Sequence, residues 1–484
     1  MSTNVSWDKD GNWRAEGSWG TANSSNRVFR LAHWQDRLDT LRAAHHVPGA
    51  ALAVLVGGEI HELAGGVLHR GTGVTATPDS VFHLGSIAKI YTATVVVKLA
   101  ESGLLDLDAP VRDVIPDFVV ADAEASKTIT PRQLLSHTSG LSGDFHLDTG
   151  RGDDCLEKYV KGCAGLAVDV PPGSAVSYSG SGYSVLGRIV EVVTGKTWDV
   201  ALQELLCAPA GLAATVTLPE DLLRFRAAMG HFGEPGTDPE PSPLWDLHSR
   251  AAGPAAVVCA SAPDLVRLAK LHLDGGVAAD GTRVLAAETV AAMQRREMDV
   301  PDKWTVSADG WGLGWTLYDW EGVPGYGHDG AATGQYSYLR VVPGAGVAIA
   351  LLTNGGGARP FYAALFRELF AELADVRMPA PFAPPAQAPT VNLAAILGVY
   401  KREGVVITVG MRDGSLRMLY EFVDGMKDIS PPLDMELAPV TESVFAASGA
   451  GPSFAEDYMP VVFSTLADGT PSCSVGMRVA PKVA

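Results

Sequence analysis

Leu31, Trp34, Leu38 and Leu41 recur at helical spacing and predict an amphipathic helix ending near His46-Val47-Pro48-Gly49. The period then changes. Residues 50–56 and 59–64 are strand-like and flank Gly57-Gly58, a strand, tight turn and second strand. Residues 90–99 are apolar on every face, so residues 86–101 read as a buried helix that follows the short apolar run Val81-Phe82-His83-Leu84-Gly85. Helical patterns recur at Pro131–Leu135 and at residues 183–193, with a loop-rich stretch, 142–177, between them. Ser261-Ala262-Pro263-Asp264 has the form of an N-cap and leads into a helix over 265–273. Beyond Trp311-Gly312-Leu313-Gly314-Trp315 the pattern is mostly strand, with residues 335–342 and 346–352 joined through Pro343-Gly344-Ala345. A helix over 360–374 closes this region.

Residues 377–390 contain five prolines and mark the clearest linker. After it, residues 405–409 and 416–420 flank Asp413-Gly414, a strong hairpin signal. The expected organisation is a polar N-terminal extension (1–30), a main domain (31–376), the proline-rich linker (377–390) and a small β domain (391–484). A chain of 484 residues is long enough for two or three domains.

Charge narrows the function classes. Lys+Arg number 37 against 55 Asp+Glu, a formal net charge of -18. Nucleic-acid binding needs a basic footprint, and anionic membrane surfaces attract basic segments, so neither partner is expected. A small-molecule partner fits better, and the oligomeric state is not legible. The N-terminus lacks the basic start and apolar core of a signal peptide, and no apolar run reaches about 18 residues. The expectation is a cytoplasmic protein. The five cysteines are scattered without a Cys-x-x-Cys spacing. Cys155 and Cys163 are near enough in sequence to pair, but free thiols in a reducing compartment are the expectation. His45-His46 point apart on a helix, and no metal-ligand pattern is visible, so neither a metal nor another cofactor is expected.

The candidate chemistry begins at Ser86-Ile87-Ala88-Lys89. Positions i and i+3 share a helix face, and serine needs a nearby base to act as a nucleophile. A lysine among apolar neighbours gives up its proton more easily and can be that base. Such a string alone is expected about once by chance in a chain this long. Two further sites give it context: Tyr178-Ser179-Gly180 before a helix, and His328-Asp329-Gly330 ahead of the strand at 335–342.

With these motifs in order, the chain resembles the serine hydrolases related to penicillin-binding proteins, class C β-lactamases, D-aminopeptidases and bacterial esterases. Their pattern is Ser-x-x-Lys, Tyr-x-Asn, then Lys-Thr-Gly or His-x-Gly. The resemblance spans about 31–372 and includes Gly103-Leu104-Leu105-Asp106-Leu107-Asp108-Ala109-Pro110-Val111, Leu134-Leu135-Ser136-His137-Thr138-Ser139-Gly140-Leu141 and Gly253-Pro254. It implies an α/β (α+β) fold, with an antiparallel sheet flanked by helices and a mainly helical subdomain. Some members carry a lipocalin-like barrel at the C-terminus, which fits residues 391–484.

Carried over, the resemblance implies Ser86 as nucleophile, Lys89 as its base and Tyr178 as a second base. Tyr178 acts as phenolate only if Lys89 and a protonated His328 surround it. The oxyanion hole would be the backbone N–H groups of Ser86 and Ala331, with Gly180 and Gly330 at the substrate. Gly180 stands where the family has asparagine and implies a more permissive acyl pocket. His328 stands where penicillin-recognising members have lysine and points to neutral esters, amides or amino-acid derivatives. Read without the family, His137 satisfies backbone groups, His83 packs, Asp153-Asp154 form a solvated face, and Trp311 and Trp315 are core. The loops 142–172 and 218–244 are expected to shape the pocket.

The function implied is hydrolysis of a small-molecule ester or amide through an acyl-Ser86 intermediate. An acyltransferase or transamidase of natural-product assembly uses the same intermediate. A non-catalytic ligand-binding homologue is the rival of another class, and Gly180 is the feature in its favour.

Overall fold

The computed structural model describes residues 5–7, 13–15, 29–246, 248–427, 430–448 and 457–484. Most of the polar extension lies outside these residues; within it, Val5–Trp7 pairs antiparallel with Trp13–Ala15. The main domain is built on one antiparallel sheet. Its central strands are β1 (Gly49–Val56), β2 (Glu59–His69), β3 (Thr316–Trp320), β4 (Val323–Ala332), β5 (Gln335–Val342) and β6 (Val347–Thr353), in spatial order β3-β4-β5-β6-β1-β2. Met298–Asp299 and Gly310–Trp311 extend one edge, and Val74–Thr75 the other. The first and last parts of the domain therefore meet at the β6–β1 pairing, where Leu351 stands opposite Leu52.

Alternation along β1 shows why its sequence is apolar throughout. Ala51, Ala53 and Leu55 enter one core, whereas Ala50, Leu52, Val54 and Val56 enter another. Both faces are covered, so no position is left for a polar residue. One face packs on α1 (Leu31–Ala44), which buries the predicted Trp34 and Leu38. The other meets α2 (Ala88–Glu101) and the helical subdomain, including α3 (Cys155–Gly162), α4 (Gly180–Thr194) and α5 (Ala262–Leu273). The α6 helix (Ala358–Ala374) joins α1 on the first face. The α3 helix falls inside the stretch expected to be loop. It is only eight residues long, yet Cys155, Leu156, Tyr159 and Val160 give it a buried stripe.

After residues 377–390, which form neither helix nor strand, eight strands follow one another antiparallel. They are β7 (Gly398–Arg402), β8 (Val405–Arg412), β9 (Ser415–Phe422), β10 (Leu433–Pro439), β11 (Val444–Ser448), β12 (Tyr458–Thr465), β13 (Pro471–Val475) and β14 (Arg478–Pro481). The Val399 N–H donates to Ala484 O at 2.7 Å, and the Val483 N–H donates to Val399 O at 2.8 Å. These bonds bring the ends of the sheet together into a nearly closed barrel with its own apolar interior.

Among the described residues no helix is long and apolar enough to cross a membrane. All five cysteines are buried and unpaired, so Cys155 and Cys163 form no disulfide. Thiol titration of native protein is therefore expected to find no fast-reacting cysteine, and titration after denaturation to find five. Rapid labelling in the native state would contradict this packing.

Candidate active site

Ser86 lies on a 3-10 turn, Gly85–Ile87, between the short strand Phe82–His83 and the first turn of α2. The turn is clamped from several sides. Leu84 N–H donates to Val258 O at 2.9 Å, Ser337 Oγ donates to Leu84 O at 2.6 Å, and His83 N–H donates to Gln335 Oε1 at 3.0 Å. Gly85 has φ of 54°, and a Cβ there would lie 2.4 Å from Ala331 O. The β4 backbone thus passes directly against the peptide beside Ser86, and Ala331 shares the neighbourhood of the nucleophile. Gly330 is fixed by the same closeness: its Cβ would lie 1.9 Å from Leu84 O. Its evident task is to let β4 approach.

Lys89 is 2% exposed. Its Nζ donates to Ser86 Oγ at 3.3 Å and to Ala255 O at 2.7 Å, and lies 4.6 Å from the centre of the Tyr178 ring. Burial, reinforced by the nearby Arg478 cation, pushes the Lys89 pKa well below the ordinary value. The neutral amine this favours can accept a proton.

Tyr178 immediately precedes Ser179, the N-cap of α4, whose Oγ accepts from Gly182 N–H at 3.0 Å. His137 holds the segment: its Nδ1 accepts from Ser179 N–H at 3.0 Å, and its carbonyl accepts from Ser177 N–H at 2.9 Å. Its ring packs on Tyr178 and, edge-on, on Trp311, so His137 satisfies backbone groups as read from the sequence. Trp311 is buried behind Tyr178 and His328.

The surroundings do not meet the condition for a Tyr178 phenolate. Burial drives the His328 pKa down to about 3, assisted by Lys89, so the ring is neutral. Its Nδ1 lies 2.6 Å from Asp329 O, as a donor to that carbonyl, which leaves Nε2 as an acceptor. Burial also pushes the Tyr178 hydroxyl up, against the opposing pull of Ser86 and Arg478. Tyr178 is held as a phenol. The reason is desolvation, which disfavours every charge in this site and outweighs the attraction of neighbouring cations.

Ser86, Lys89, Tyr178 and Gly180 line one cleft of about 540 Å³. A Cβ at Gly180 would lie 3.3 Å from Gly143 O, a tight contact, so the glycine lets the wall at Gly143 come close. Residues 143–148 form one wall, as expected for the 142–172 loop. The other expected loop, 218–244, does not supply the opposite wall: Asp246, His248 and Ser249 do. Residues 231–237 and Pro239 instead line a separate cavity beside Arg359.

Sequence patterns also missed Arg478, which comes from the barrel. The β13–β14 turn inserts beside Tyr178: Tyr178 N–H donates to Met477 O at 2.9 Å, and Val479 N–H donates to Ser177 Oγ at 3.2 Å. The guanidinium of Arg478 lies 5.2 Å from the centre of the Tyr178 ring and pairs with Asp144 at 2.9 Å. Arg402 of β7 pairs with the same carboxylate. The fold also gathers His83, Asp246 and His248 so that one ligand-type atom of each lies within 4.8 Å of the others. No local spacing announces either group.

Comparison with known proteins places the fold. The family model described as Beta-lactamase matches residues 34–372. The chain belongs to the beta-lactamase family. It is 60% identical over 376 residues to Penicillin-binding protein 4 of Amycolatopsis lactamdurans, covering 78% of this chain and 99% of that protein. The crystal structure of SurE with D-Leu is similar at 29% identity and TM-score 0.72, covering 94% of this chain and 99% of that chain. The D-amino acid amidase from Ochrobactrum anthropi SV3 shares the fold at 24% identity and TM-score 0.56, covering 68% of this chain and 92% of that chain. The family is one of beta-lactamase-like serine hydrolases, and in this chain its domain is followed by the C-terminal barrel.

The close approach at β4 gives a direct prediction. Gly330→Ala places a methyl group against backbone and is expected to cost at least about 1–3 kcal/mol, read as a lowered denaturation midpoint. An unchanged midpoint would show that β4 and the nucleophile turn are less tightly opposed.

Proposed function

We propose that this protein is a serine acyl-transfer enzyme that cleaves an ester or amide of a small molecule through an acyl-Ser86 intermediate. One observation carries the reading: a buried lysine, biased toward its neutral form, within hydrogen-bond reach of a serine that lines a cleft. In this reading Lys89 takes the Ser86 proton as Oγ attacks the carbonyl. The N–H groups of Ser86 and Ala331 receive the developing oxyanion, and one such donor is typically worth about 10²–10³ in rate. The carbonyl–leaving-group bond then breaks, and the proton held by Lys89 passes to the leaving group with the Tyr178 phenol as relay. Neutral His328 provides an acceptor beside them and no fixed positive charge, which disfavours substrates that depend on a carboxylate partner there.

The D-Leu of the similar SurE structure favours an acyl group or acceptor derived from a D-amino acid. The same complex supports a second reading, transfer of the acyl group to an amine in place of water, because a free amino acid brings an amine of its own. The two differ only in the second nucleophile.

Intact mass spectrometry after brief exposure to a D-aminoacyl p-nitrophenyl ester tests the common step. Wild type is expected to gain one acyl mass and Ser86→Ala none. An undiminished adduct on Ser86→Ala, or none on wild type, would remove the serine-nucleophile reading. Product analysis with and without added amines separates hydrolysis from transfer.

A further inference from the structure

His83, Asp246 and His248 form a connected chain anchored on the peptide next to the nucleophile. Gly85 N–H donates to His83 Nδ1 at 3.1 Å. That fixes the His83 proton on Nε2, which lies 3.2 Å from Asp246 Oδ2 and donates to it. Asp246 Oδ1 accepts twice more, from His248 Nδ1 at 2.6 Å and from His248 N–H at 3.0 Å. Burial alone raises the Asp246 pKa, but the hydrogen bonds from His248 and His83 outweigh it and keep the carboxylate ionised.

The same atoms would suit a divalent cation by type and separation, but their hydrogen bonding argues against one. Ligation by His83 Nε2 requires a lone pair there, and so a proton on Nδ1, which already accepts from Gly85. A metal would have to break the bond that fixes the nucleophile turn.

His248 differs from His83 in exposure. Its side chain is 26% exposed and lines the cleft that contains Ser86. With Nδ1–H committed to Asp246, its Nε2 carries the free lone pair. We infer that His248, oriented by Asp246, is the general base for the nucleophile that releases the acyl group from Ser86. This deepens the reading proposed above and rests on its acyl-Ser86 intermediate.

In that step the acceptor, water or an amine, forms the new bond to the acyl carbon and gives its proton to His248 Nε2. The bond from Ser86 Oγ to the acyl carbon breaks, and Oγ takes up a proton from solvent through Lys89 and Tyr178. The imidazolium of His248, stabilised by Asp246, then releases its proton to solvent. The two halves of the reaction thus use different bases: Lys89 is committed to Ser86, and His248 serves the incoming group. The arrangement is that of a base held by an orienting carboxylate, a geometry that suits proton abstraction.

Pre-steady-state kinetics with the activated ester separate the two halves. His248→Ala is expected to keep the burst of p-nitrophenol within about threefold while turnover falls about 10²-fold or more. The acyl-enzyme should then accumulate by intact mass, and added imidazole should restore part of the turnover. Asp246→Asn should show the same split in weaker form. Turnover within twofold of wild type, equal loss of burst and turnover, or a zinc requirement for turnover would overturn the assignment. Failure of wild type to acylate at all would instead remove the serine-nucleophile reading on which it rests.

Discussion

Everything at the cleft depends on one electrostatic constraint: an amine placed where water cannot solvate its charge. Lys89 emerges from the first turn of a helix that is apolar on all sides, and the carbonyl of Ala255 and the rings of Tyr178 and Tyr183 take up the space around it. A charged ammonium there loses its hydration, so the neutral form gains. The same desolvation keeps His328 neutral and Tyr178 protonated. Around Ser86 the site is therefore an assembly of uncharged donors and acceptors, bordered by Asp144 and the two guanidinium groups that pair with it, Arg478 and Arg402.

Holding such a site requires scaffold on both sides. The nucleophile turn is tied to β5 through Gln335 and Ser337 and pressed against β4 at Gly330. The tyrosine segment is tied to His137 on one side and to the barrel turn on the other. Asp302 adds to this junction, since its buried carboxylate accepts from Met477 N–H at 3.2 Å and from Thr305 N–H at 3.1 Å. The barrel is thus part of the wall around the tyrosine and shares its backbone hydrogen bonds.

What the sequence made legible was local. The Ser86–Lys89 pair sits three residues apart, so helix geometry alone brings it together. The hairpin β1–β2 and the strands β5 and β6 are announced by turn residues and by alternation or continuous apolarity. The α3 helix was missed because eight residues offer too short a period to outweigh the turn-forming residues around it. Arg478, Asp246 and His248 were missed for a different reason. Each lies far along the chain from Ser86, and each gains meaning only from tertiary placement. The condition set for a Tyr178 phenolate, a protonated His328 beside Lys89, is not met, because burial penalises each of those charges.

The central claim is that burial biases Lys89 toward its neutral form, and its titration tests that most directly. The lysine side-chain resonance that disappears in Lys89→Met can be followed by NMR across pH. The account predicts a midpoint well below the ordinary lysine value of about 10.4, because burial disfavours the ammonium and protonation must await lower pH. A midpoint at or above the ordinary value would contradict it: Lys89 would then be a fixed cation at neutral pH, and Ser86 would need another base.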